Sequence, residues 1–86
     1  MQFIVLAKMR HGISKESAER TSKTLKEPPP GVKIHSVYWT LGRYDAVLLV
    51  ETVDEKTLMA FLLPFGEDAS TETLIAVPQE EALKLL

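Results

Sequence analysis

Ala46-Val47-Leu48-Leu49-Val50 is an unbroken run of apolar, largely β-branched or γ-branched residues, too short for a helix and bounded by Asp45 and Glu51. Such a run reads as a strand whose two faces are both withdrawn from water. A second run of the same character, Phe3-Ile4-Val5-Leu6-Ala7, lies near the start of the chain. Two doubly apolar strands in so short a sequence constrain everything around them.

Upstream of Ala46, Val32 to Thr40 reads as a more polar strand. Strict alternation predicts Val32, Ile34, Ser36 and Tyr38 on one side and Lys33, His35, Val37 and Trp39 on the other. Leu41, Gly42 and Arg43 make the connection, so these two strands form a hairpin. Between the first run and this hairpin, Ser14 is an N-cap for a helix reaching Lys26. Ile13 and Ala18 are placed for a staple, with Glu16–Arg20 and Glu19–Lys23 as i,i+4 pairs. The apolar side of that helix is thin: Ala18, Thr21, Ser22 and Leu25 lie at i, i+3, i+4 and i+7, and their small size predicts a close approach to the sheet. Pro28, Pro29, Pro30 and Gly31 end it.

Downstream of Val50, Asp54 caps a second helix, with Val53 and Leu58 at staple positions. Its stripe is Leu58, Phe61, Leu62 and Phe65, and Pro64 ends regular geometry near Leu63. Ser70 to Val77 is the last strand, and Pro78 opens a short terminal helix carrying Ala82, Leu83, Leu85 and Leu86.

The order β-α-β-β-α-β is the split βαβ arrangement of an α+β, ferredoxin-like domain occupying residues 1–86. Its antiparallel sheet has strand order 4-1-3-2, which puts the two apolar runs in the centre. Two helices cover only one face. Ile4, Val5 and Leu6 in the first run, and Val47, Leu48 and Leu49 in the other, place large apolar groups on both faces, so on the uncovered one several such side chains left in water would forgo several kcal/mol, at about 25 cal/mol per Å² of apolar area. A second copy meeting sheet to sheet is the economical cover, and partial cover by the terminal helix is the competing one.

Composition narrows the function classes. A net charge of −2 without a basic stripe argues against nucleic acid as a partner. The absence of cysteine removes disulfides, thiolate metal sites and a cysteine nucleophile. His11 and His35 have no metal-ligand spacing, so no metal or other cofactor is expected. No stretch has membrane-spanning length and the N-terminal run is no targeting segment, which reads as a cytoplasmic protein. Chemistry is expected where the end of the first strand lies beside the start of the third. There Arg10 and His11 approach Arg43, Tyr44 and Asp45, with an arginine as carboxylate partner and Tyr44 as a hydroxyl handle. A purely structural account competes with it: Gly42 serves the turn, Asp45 accepts backbone N–H groups or pairs with Lys8 or Arg10, and Tyr44 packs.

Tyr38 to Val47 reads Tyr-Trp-Thr-Leu-Gly-Arg-Tyr-Asp-Ala-Val, which resembles the signature of the GYD domain family at Gly42, Tyr44 and Asp45. Lys8 in the first strand and Thr71-Glu72-Thr73-Leu74 in the last are similar to that family as well. The resemblance implies a ferredoxin-like domain of the dimeric α/β-barrel kind and no particular reaction. Two functions are therefore expected to compete. One is a homo-oligomeric small-molecule-binding or regulatory module, a homodimer or larger. The other is a cofactor-independent oxygenase or isomerase for an aromatic or lactone-like substrate, using His11, Tyr44 or Asp45 for proton transfer.

Overall fold

The computed structural model describes all of residues 1–86. Its elements are β1 (Gln2–Met9), α1 (Lys15–Lys26), β2 (Val32–Trp39), β3 (Ala46–Thr52), α2 (Glu55–Leu62), a 3-10 segment (Leu63–Glu67), β4 (Ala69–Ala76) and α3 (Gln79–Leu83). The four strands form one antiparallel sheet in the order β2-β3-β1-β4, which is the expected 4-1-3-2 read from the other edge.

Register decides which residues share a face. Phe3 pairs with Val50 and Val5 with Leu48, and these four side chains are buried together with Val32, Leu58 and Phe61. This is the covered face. Ile4 pairs with Leu49 and Leu74, and Leu6 with Val47 and Glu72, so these residues point to the opposite, open face.

The strict alternation expected for β2 does not hold. Ile34 pairs with Val50 but Ser36 pairs with Leu49, so an extra residue, His35, is accommodated in a β-bulge. Below the bulge Val32 and Ile34 face the helices; above it Val37 and Trp39 do, opposite Leu48 and Ala46. Ser36 and Tyr38 therefore belong to the open face. His35 uses its position to place its imidazole Nε2 2.7 Å from the Glu51 carboxylate.

The helix ends follow the expected capping chemistry. Ser14 accepts from the Ser17 amide and Ser17 returns the bond to the Ser14 amide, a reciprocal capping box. Asp54 accepts from the amide and hydroxyl of Thr57, which holds its carboxyl below the usual carboxylate range. Val53 is 75% exposed, so the expected staple to Leu58 does not form. Pro64 ends α2 and the chain tightens into the 3-10 segment, where Phe65 packs edge-on against Phe61 with ring centroids 5.4 Å apart.

One further expectation is corrected and one competing alternative is set aside. The small residues of α1 do not bring it close to the sheet: none of its residues is buried, and only Leu25 packs against the core. The terminal helix does not cover the open face, since α3 is five residues long and leaves Leu83, Leu85 and Leu86 exposed.

Candidate functional site

The hairpin at Leu41–Tyr44 turns on Gly42, whose φ of 117° disfavours any residue with a Cβ. Thr40 closes the turn twice, its amide donating to the Asp45 carbonyl and its hydroxyl to the Tyr44 carbonyl, at 2.9 and 2.7 Å. With the turn fixed, the Asp45 amide donates to the Ala7 carbonyl and the Asp45 carboxylate accepts from the Met9 amide, both at 2.8 Å. The same carboxylate lies 3.6 Å from the Lys8 ammonium. Asp45 thus stitches the start of β3 to the end of β1, as the structural reading of this residue expects.

Tyr44 goes the other way. Its ring lies on the open face, where the hydroxyl donates a hydrogen bond to Glu72 of β4. That bond, some burial and the Glu72 charge raise the phenol above its ordinary pKa, while Arg43 opposes them. The Arg43 guanidinium stands 5.7 Å from the centroid of the Tyr44 ring, a cation–π contact. Arg43, Tyr44 and Glu72 therefore form a polar cluster at the end of the open face, while Asp45, tied to Lys8 and the Met9 amide, stands behind it between the two strands.

Arg10 and His11 do not join it. The Arg10 Nε donates 2.8 Å to the Gly66 carbonyl and its amide donates 2.9 Å to the Asp68 carbonyl, which ties it to the segment entering β4. His11 is an exposed residue of the turn after β1. The five residues expected to converge thus divide, with Arg43, Tyr44 and Asp45 together and the other two apart. Glu72 is the member that sequence reasoning missed. Its signal was its place in the family-like stretch Thr71–Leu74, but which residue it meets depends on a strand register that the sequence does not show.

A second feature lies on the covered side. Between α1 and the upper halves of β2 and β3 runs a cleft of about 300 Å³, walled by Ile13, Ala18, Leu25, Val37, Trp39 and Ala46. It continues into a narrower apolar recess bounded by Val5, Ala7, Leu48, Phe61 and Phe65. His11 and Tyr44 line neither space. No three His, Asp or Glu side chains are grouped to hold a metal ion, and no helix is long and apolar enough to cross a membrane.

Topology, register and the Gly42-Tyr44-Asp45 hairpin together define a ferredoxin-like domain of one family. A model of the GYD domain matches residues 7–86, and the chain belongs to that family. No curated protein matches it in sequence. Among solved structures it is similar to FFRP-DM1, with 24% identity over 88% of this chain and 97% of that one and a TM-score of 0.63. It is also similar to LrpC of B. subtilis, with 15% identity over 88% of this chain and 51% of that one and a TM-score of 0.66. A third is the transcriptional regulator NMB0573 of Neisseria meningitidis in complex with L-Met, with 17% identity over 90% and 51% and a TM-score of 0.63. The chain spans about half the length of the latter two proteins, and at these identities the likeness is one of fold.

Proposed function

We propose that this chain is a homo-oligomeric small-molecule-binding or regulatory module of the cytoplasm, paired through the open face of its sheet and responsive to a ligand at the hairpin cluster. The observation that carries the reading is the register of Ile4, Leu6, Val47, Leu49 and Leu74, which gathers five large apolar side chains on one side of the sheet. The helices lie on the opposite side and α3 leaves this one open.

The size of the face suits a second copy. Four strands about 4.8 Å apart, three of eight residues and one of seven at about 3.3 Å each, give a face of roughly 500 Å². Two such faces remove on the order of 1,000 Å² from water, the lower bound for a specific interface. The polar cluster sits at the rim of that contact, so an acid bound by Arg43 would adjoin the partner and report on assembly. The likeness in fold to a transcriptional regulator in complex with L-Met supports a ligand-responsive module over a purely structural one.

Light scattering tests it. The chain is expected to be a dimer or larger at micromolar concentration, and Leu49→Glu to be a folded monomer with unchanged circular dichroism. A wild-type monomer overturns the reading. For the ligand, small aliphatic carboxylates, which have no ring to fill an apolar cleft, are expected to raise the melting temperature of the wild type and not of Arg43→Ala. Equal shifts in both remove the hairpin from the site.

A further inference from the structure

Helix α1 lies over an apolar sheet and yet buries none of its residues. A helix on a core normally sinks its apolar stripe into the sheet, and a gap left beneath one forfeits stabilisation in proportion to its volume. In a domain this small such a gap is expensive to keep empty.

The walls of the gap are specific in kind. The β2 bulge turns Val37 and Trp39 toward it, and they remain 39% and 67% exposed although they stand on the helix-covered face. Ala18 and Ser22 of α1 keep the opposite wall low. Thr21 and Ser22 line the space, and their hydroxyls make no hydrogen bond within the chain. Two charged groups reach it. Asp45 is already satisfied by Lys8 and the Met9 amide, whereas the Lys26 ammonium has no acidic partner.

A volume of about 300 Å³ is that of a small-ligand pocket, commonly apolar with a few polar groups fixing orientation. We infer that the cleft between α1 and the β2–β3 hairpin binds a small aromatic carboxylic acid. Its ring lies against Trp39 and Val37, and its carboxylate meets Lys26 with the Thr21 and Ser22 hydroxyls as further donors. This site is on the other side of the sheet from the hairpin cluster and does not depend on the pairing of copies.

The chain has one tryptophan, so a single indole N–H resonance reports on the cleft. Titration with 2-naphthoate is expected to move that resonance saturably, with a Kd below about 1 mM. The neutral 2-naphthol is expected to bind roughly threefold more weakly, the difference vanishing in Lys26→Ala. Ala18→Phe, which fills the cleft, is expected to abolish both titrations and raise the melting temperature. If that variant does not fold, Ser22→Leu narrows the same wall. The inference is overturned if 2-naphthoate gives no saturable shift, if both compounds bind the wild type equally, or if filling the cleft leaves the titration unchanged. Because Leu49→Glu leaves this face intact, it is expected to bind 2-naphthoate as the wild type does, which separates the two readings.

Discussion

The Tyr44 hydroxyl and the Glu72 carboxylate are hydrogen-bonded across the full width of β1, joining the entrance of β3 to β4 over the open face of the sheet. Neither residue is near the other in sequence, and each would otherwise be a solvated polar group at the end of an apolar surface. The bond raises the phenol pKa, with partial burial and the Glu72 charge acting in the same direction and Arg43 against it. A raised folded-state pKa contributes stability that is complete below the unfolded value and is lost as pH rises through the folded one. An ultraviolet titration of the tyrosines is therefore expected to show one of the two ionising late. Glu72→Ala is expected to bring that midpoint down toward the ordinary phenol value, and Arg43→Ala to move it further up.

At the opposite end of the same face, Glu51 is held below the usual carboxylate range. Its hydrogen bond to His35 is the main cause, helped by the charges of His35, Lys33 and the N-terminal ammonium against partial desolvation. A depressed carboxyl pKa contributes stability that is present above the unfolded value and lost as pH falls through the folded one. Carbon-detected NMR of His35→Ala is expected to show the Glu51 carboxyl titrating higher than in the wild type. The variant should correspondingly lose less of its stability over the acid limb of the pH profile.

Phe3, 2% exposed at the centre of the covered face, is the residue whose truncation costs most. Phe3→Ala is expected to destabilise by about 3–5 kcal/mol, comparable with the whole margin of about 5–10 kcal/mol for a domain of this size. Leu74→Ala, on the open face and 43% exposed, is expected to cost less than about 1 kcal/mol in the monomer. Urea denaturation of the two variants in the Leu49→Glu background, which is expected to be monomeric, measures the contrast.

The two backbone devices have separate signatures. Ser14→Ala removes one half of the capping box and is expected to cost about 1 kcal/mol. Gly42→Ala meets no neighbouring atom, so its expected cost of about 1 kcal/mol is conformational and comes from the positive φ alone. Gly42→Asn, which tolerates positive φ better than alanine, is expected to recover part of that loss in thermal unfolding.

Which parts of this were legible in the sequence follows from the range of the interactions involved. The β1 and β3 runs announced the centre of the sheet because burial on both faces leaves a composition that no helix or loop shares. The caps at Ser14 and Asp54 and the break at Pro64 are local chemistry, and each stands where expected. The upper half of β2 was misread, because the change of phase from Val32 and Ile34 to Val37 and Trp39 is masked by the aromatic Tyr38 and is resolved only by pairing with β3. Arg10 escaped for a related reason: β1 runs on to Met9, and the residue after it turns toward Gly66 instead of toward the hairpin. The standing-off of α1 was invisible too, since small residues on a helix allow a close approach without enforcing one.

The bulge at His35 has a further meaning when the gene is considered. Loss of that one codon would make Ile34 and Ser36 direct neighbours opposite Val50 and Leu49, which closes the ladder and leaves every pairing from Ser36 to Trp39 as it is. Trp39 would stay on the wall of the cleft and Tyr38 on the open face, and the loss would fall on the contact of His35 with Glu51. A bulge thus makes room in the strand for a residue that the sheet does not need, and homologues one residue shorter at this point should keep the indole facing the cleft and lose only the His35–Glu51 pair.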